Sequence, residues 1–282
     1  MPLPDNFDIQ DFVRQILAED LGAGGDVTSN ATIDADARFT AEMNSRQHIV
    51  VAGLDLAAEF FGALDPDMKI EQLVKDGDRA EHGATLMRLD GNARAMLAAE
   101  RSALNTLQHL SGIATLTRQF VDAIAGTGSV LLDTRKTIPG LRVLEKYATR
   151  LGGAENHRMR LDDGVLIKDN HVAVCGGVAE AVRRAKAANT GLKVQVEVDR
   201  IDQIEPALEA GADRLLLDNM DPAMLREAVR LVDGRVPLEA SGGVTLETIR
   251  YIAETGVDYV SLGRITQSAP AVDIGLDYTL AR

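Results

Sequence analysis

The chain has 282 residues, a formal net charge of -13, 45% hydrophobic and 26% charged residues, enough for one large core or two modest ones. The acidic balance excludes general nucleic-acid binding, which needs a basic footprint. Cys175 is the only cysteine, which excludes an intrachain disulfide and fits a reducing compartment. The opening MPLPDNFDIQ has neither a basic leader nor an apolar core, and no apolar run approaches the roughly 20 residues of a membrane span, so a soluble, cytoplasmic protein is expected.

FDIQDFVRQILAED (7–20) spaces its apolar residues for a helix that stops at the glycine-rich GAGGD (22–26). ARFTAEMNSRQHIVVAG (37–53) predicts extended chain, and LAAEFFGAL (56–64) a helix. IEQLVKDGDRAEHGATLMRLDG (70–91) has the short strands and glycine turns of a small sheet. NARAMLAAERSALNTLQHLSGIATLTRQFVDAIAG (92–126) has helical periodicity, with one break expected near Ser111-Gly112.

From 129 onward short apolar runs alternate with single helical segments. The runs are SVLLDTRK, GVLIKDN, KVQVEVD, DRLLLDN, VPLEASGG and DYVSLGR. Such alternation predicts a parallel sheet, and the repeat of 21 to 29 residues between strand ends predicts an α/β barrel. Six visible strands rather than eight make that barrel incomplete. A doubly wound open sheet is the alternative, but no GxGxxG follows the first strand.

Active sites of α/β barrels lie at the C-terminal strand ends. Here those ends carry Arg135 and Lys136, Lys168, Glu197, Asp218, Ser241-Gly242-Gly243 and Gly263. Between Arg135 and Lys168 eight Lys/Arg stand against four acids, a positive island in an acidic chain that would focus an anionic ligand. Arg135, Lys136, Arg158 and Lys168 offer cations for carboxylate or phosphate. Glu197 and Asp218 suit Mg²⁺, a developing positive charge or a general base. ASGGV (240–244) and SLGR (261–264) can bring backbone N–H groups close to a phosphate. His157 reads either as a ligand or as a polar connection, and His171 either as a ligand or as a turn residue. Cys175 reads as packing. Arg101 by composition is a solvated helix residue.

Long segments in fixed order then carry a resemblance over nearly the whole chain: EDLGAGGDVTS, ERSALNTLQHLSGIAT, DTRKTIPGLRVLEKYA, GGAENHRMRLDDGVLIKDNH, VEVD, LLDNM, LEASGGV and SLGRITQSAPAVDIGLDY. The chain resembles the nicotinate-nucleotide pyrophosphorylase (carboxylating), or quinolinate phosphoribosyltransferase, family. The resemblance implies an incomplete TIM-like barrel over 113–269 and a smaller N-terminal α/β sandwich domain over 1–112, joined by a tail from about 270 to 282. It implies conversion of quinolinate and 5-phosphoribosyl-1-diphosphate to nicotinate mononucleotide, diphosphate and CO₂, with Mg²⁺ carried on the diphosphate. It places Thr134, Arg135, Lys136, His157, Arg158 and Lys168 in the cationic pocket, with Lys136 and Lys168 among the catalytic residues. Glu197 and Asp218 flank the ribose and Mg²⁺-diphosphate, and Ser241, Gly242, Gly243 and Gly263 hold the 5-phosphate. Arg101 matches a position that reaches the partner's site in a homodimer. Two departures stand out: one extra residue in GAGGD, and Arg160 where an uncharged residue is expected. The alternatives are a related phosphoribosyltransferase acting on another base, a Schiff-base aldolase using Lys168, and a phosphate-ligand sensor.

Overall fold

The computed structural model describes Leu3 and Phe7–Thr279. The other residues of MPLPDN, and 280–282 at the end of the expected tail, lie outside the described residues. The first elements are α1 (Ile9–Leu21), α2 (Val27–Thr32), β1 (Arg38–Ser45), β2 (Ile49–Val50), α3 (Leu54–Leu64), β3 (Lys69–Gln72), β4 (Arg79–Ala80) and β5 (Thr85–Asn92). The long α4 (Ala93–Ala123) leads to β6 (Val130–Leu132) and α5 (Arg142–Leu151). Then follow β7 (Val165–Ile167), α6 (Asp169–Cys175), α7 (Val178–Ala187), β8 (Val194–Val198), α8 (Ile204–Glu209), β9 (Arg214–Asp218) and α9 (Pro222–Val232). The chain closes with β10 (Leu238–Ser241), α10 (Ile249–Ala253), β11 (Tyr259–Ser261), α11 (Arg264–Gln267) and β12 (Ile274–Thr279). Aspartates open several helices: Asp8 accepts from the Asp11 amide, Asp26 from Thr28 and Ser29, and Asp221 from Ala223 and Met224 ahead of Pro222.

The backbone packs as two units. One comprises Met1–Thr117, Val143–Gly152 and Ala269–Arg282, the other Arg118–Arg142 and Gly153–Ser268. The first holds an antiparallel four-stranded sheet in the order β12-β1-β5-β3. Met43, Phe60, Phe61, Met87 and Leu89 lie fully buried in this unit. The late strand β12 pairs with β1 along its length, from Thr40 opposite Thr279 to Ser45 opposite Ile274. This partition differs from the expected one in assigning most of α5 to the first unit. Polar contacts help to tie α5 to this unit: His109 Nε2 lies 3.0 Å from the buried Glu145 carboxylate, and the Tyr147 hydroxyl donates to Asp76 at 2.7 Å.

The expected break at Ser111-Gly112 does not occur, for α4 runs through it. Ser111 turns its hydroxyl to the Ala52 amide at 3.0 Å instead of capping a helix end. Gly112 is there for closeness: a Cβ would stand 2.2 Å from the Pro270 carbonyl oxygen. Gly112→Ala is expected to destabilise the fold by about 1–3 kcal/mol through overpacking, although alanine is the better helix former. An unchanged melting temperature would contradict that reading.

The second unit carries the six strands read from the sequence, as a parallel sheet in the order β6-β11-β10-β9-β8-β7. It is an incomplete barrel, open between β6 and β7, where one parallel bridge joins Leu132 to Glu155. Strand alternation gives the sheet two unlike faces. Val194, Val196, Val198, Leu215, Leu217, Leu238, Ala240 and Val260 are buried. Gln195, Glu197, Arg214, Asp218, Glu239, Ser241, Tyr259 and Ser261 occupy intervening positions, so the polar side chains gather on one face, which they share with Leu132, Leu166 and Leu216. Among the described residues no helix is long and apolar enough to cross a membrane.

Candidate active site

Three groups of side chains sit at the C-terminal ends of the strands, and strand order sets them in a row. After β6 the backbone is tied down by Asp133, which is fully buried. Its carboxylate accepts from the His157 amide at 2.8 Å and from Asn156 Nδ2 at 2.6 Å. Thr134 Oγ1 then accepts from the Lys136 amide at 3.0 Å, a local turn that separates the directions of Arg135 and Lys136. The chain leaves through Pro139-Gly140, with Gly140 at φ 86°.

Arg135 and Arg158 are half-buried and lie close enough to repel one another. Burial, and then the charge of Arg135, push the Arg158 guanidinium below its ordinary value. Arg135 Nε is buried with no hydrogen-bond partner in the protein. Two adjacent guanidiniums, one with an unused donor, form a site that a dianion would complete.

At the other end of the row, Lys168 Nζ donates to Glu197 Oε2 at 2.9 Å. The Glu197 side chain is only 9% exposed, so this ion pair is shielded on one side. Asp218 lies beside it, its carboxyl pushed up by burial and then by the Glu197 charge. Asn219 donates to Asp218 at 2.7 Å from a left-handed backbone, φ 54°.

Between these groups, β10 and β11 end in a glycine cradle. Thr134, Lys136, Ser241, Gly242, Gly243 and Gly263 line one cavity of about 400 Å³. Gly242 adopts φ 98°, where a Cβ would fall 2.1 Å from Asn219 Oδ1. Gly263 lies under the Lys136 stem, and a Cβ there would come within 2.5 Å of Lys136 Cδ. Gly242 is therefore required by its left-handed backbone as well as by close approach, and Gly263 by close approach alone.

Arg135, Lys136, Lys168, Glu197, Asp218, Ser241, Gly242, Gly243 and Gly263 thus stand at or just after the C-terminal ends of the six strands. His157, which the resemblance places in the cationic pocket, lies next to Arg158. Its Nδ1 accepts from the Arg158 amide at 2.8 Å, and its Nε2 stands 3.5 Å from Glu239 Oε2. His171 turns the chain, its Nδ1 accepting from the Lys168 amide at 2.9 Å. Arg160 is exposed and pairs with Asp162 at 2.9 Å. Arg101 is exposed on α4, in the first unit. Sequence reasoning missed Asp133 and Asn156, although Asp133 opens the DTRK segment.

The fold and these strand ends define an α/β-barrel enzyme built to hold a ligand with several negative charges. The family model for the quinolinate phosphoribosyl transferase C-terminal domain matches residues 113–277, and that for the N-terminal domain matches 26–111. A nicotinate-nucleotide pyrophosphorylase [carboxylating] of Mycobacterium leprae (strain TN) is 44% identical over 275 residues, covering 95% of this chain and 96% of that one. The solved nicotinate-nucleotide pyrophosphorylase of Francisella tularensis superposes with a TM-score of 0.92 at 41% identity, covering 96% of each chain. That of Ehrlichia chaffeensis gives 0.93 at 41%, covering 97% of this chain and all of the other. The chain belongs to the quinolinate phosphoribosyl transferase family, and is a phosphoribosyltransferase.

Proposed function

We propose that the protein joins quinolinate to 5-phosphoribosyl-1-diphosphate, releasing nicotinate mononucleotide, diphosphate and CO₂, as a cytoplasmic enzyme of NAD biosynthesis. The observation that carries this reading is the Arg135–Arg158 pair, crowded together with a buried donor unused. Quinolinate offers two adjacent carboxylates to that pair, and Lys136 and Lys168 supply further cations at the strand ends. The glycine cradle and Ser241 take the 5-phosphate, and Thr134 and Lys136 close its side.

Held this way, the ring nitrogen faces C1 of the ribose, largely an effect of orientation. Loss of diphosphate leaves an oxocarbenium-like carbon that Glu197 and Asp218 stabilise electrostatically. The nitrogen lone pair forms the new C–N bond. The resulting pyridinium ring accepts the electron pair as the adjacent carboxylate leaves as CO₂, and the ring carbon then takes up a proton.

Among the described residues no three His, Cys, Asp or Glu side chains cluster as a metal cage. Two carboxylates plus substrate phosphates are nonetheless the donor set Mg²⁺ commonly uses, so Glu197 and Asp218 fit the ion together with the diphosphate. When bound there, Mg²⁺ would supply charge neutralisation for the departing diphosphate. The active assembly in this reading is a homodimer, the partner subunit's Arg101 adding a cation to the pocket.

Incubation with quinolinate, phosphoribosyl diphosphate and Mg²⁺ is expected to yield nicotinate mononucleotide and CO₂ in equal amounts. Absence of both products would remove the quinolinate assignment and leave a related phosphoribosyltransferase acting on another base. Family membership already sets the aldolase reading aside.

A further inference from the structure

Behind the mouth, the polar face of the sheet carries a second set of charges that the reaction as described does not use. Glu239, midway along β10, is 1% exposed. Gln195 Nε2 from β8 donates to its Oε2 at 2.8 Å. Arg214 from β9 places Nη2 2.9 Å from the same oxygen, an ion pair without the alignment of a hydrogen bond. The Arg214 guanidinium also stacks 3.8 Å over the Tyr259 ring of β11. The third neighbour is His157, whose Nε2 lies 3.5 Å away. Burial alone would raise the Glu239 carboxyl, but His157, Arg214 and Ser261 outweigh it and hold it below the ordinary value.

The two ring nitrogens of His157 have partners of opposite kind. The Arg158 amide can only donate, so Nδ1 must carry a lone pair. A carboxylate can only accept, so the proton belongs on Nε2. Other groups packed around the histidine are Asp133, which takes its main-chain amide, and Arg158 itself, whose Nη1 donates to the Gly164 carbonyl at 2.9 Å. His157 and Arg158 also line a cavity of about 210 Å³ with Gln195, Arg214 and Tyr259.

We infer that Glu239 is a positioning residue: from inside the sheet it fixes His157 as the Nε2–H tautomer, leaving Nδ1 to pin the Arg158 amide and so aim Arg158 at the substrate. A carboxylate on β10 thereby sets the geometry of a cation in the loop ahead of β7. The connection runs through one imidazole ring. The kinetic part of this inference rests on the proposed quinolinate reaction, and its spectroscopic part does not.

The test is nitrogen NMR of the whole protein labelled with ¹⁵N-histidine, near neutral pH, with His157→Gln used to assign the signal. The wild type is expected to show His157 protonated at Nε2 with an unprotonated Nδ1. A ring protonated at Nδ1, or at both nitrogens, overturns the inference whatever any variant does. In kinetics, Glu239→Leu is expected to raise the quinolinate KM about tenfold with a smaller change in kcat, and to mix the tautomers. Glu239→Gln keeps an acceptor for Nε2–H, and is expected to restore both the tautomer and the KM. Unchanged KM and tautomer in a folded Glu239→Leu protein would also overturn the inference. An Nε2–H ring in a protein that fails to turn over quinolinate would remove the functional reading while supporting the tautomer assignment.

Discussion

Arg135→Ala is expected to lower kcat/KM for quinolinate by about a thousandfold, because a guanidinium can grip a carboxylate through two charge-assisted hydrogen bonds. The same substitution should leave the fold intact. Arg135 Nε has no partner in the protein, and its charge repels Arg158, so its loss removes a buried unpaired donor and a like-charge contact. The melting temperature should therefore hold or rise slightly while activity collapses. Retention of activity within tenfold of the parent would reduce DTRK to an ordinary basic turn. A parallel fall in stability would contradict the reading of Arg135 Nε as an unpaired donor.

Asp218→Asn and Glu197→Gln are expected to reduce kcat by about a hundred- to a thousandfold, the usual scale for losing one preorganised electrostatic contact to a transition state. Binding of phosphoribosyl diphosphate, followed by calorimetry without quinolinate, should weaken far less than turnover falls. Unchanged turnover in both variants would dismiss the pair from the chemistry. Asp218 also carries a signature in stability. Its carboxyl is pushed up by burial and by Glu197, so the folded protein holds that proton more tightly than the unfolded chain. Stability is then lost as pH rises from the ordinary carboxylate value through the raised one. Asp218→Asn removes that slope and is expected to melt higher than the parent at neutral pH. An inactive but more stable variant is the pattern of a residue kept for function.

The six strands and their ends were legible because each pairs a short Val, Leu or Ile run with an abrupt polar stop. That pattern belongs to a parallel sheet and points straight at the mouth. Gly112 misled for a physical reason: a glycine inside a helix looks the same in sequence whether it ends the helix or admits another backbone. Its neighbour, Pro270, is over 150 residues away. α5 misled likewise, since its partners His109 and Asp76 precede it by many residues. The barrel interior was the least visible part. Arg214 and Glu239 sit inside runs that read as strands, and nothing local says that their side chains meet each other. Family resemblance supplied what the residues alone could not: the identity of the base, and the role given to Arg101.

The pairing of β12 with β1 bears on how the chain is made. β1 emerges early, but the strand that covers its edge lies beyond all six strands of the barrel. A ribosome therefore releases the whole second unit before it delivers the last piece of the first. The unit synthesised earliest is the one completed last, and until then β1 presents an open edge able to pair with other chains. During synthesis, the vulnerable surface is thus a strand in the N-terminal sheet, far in sequence from the residues that do the chemistry.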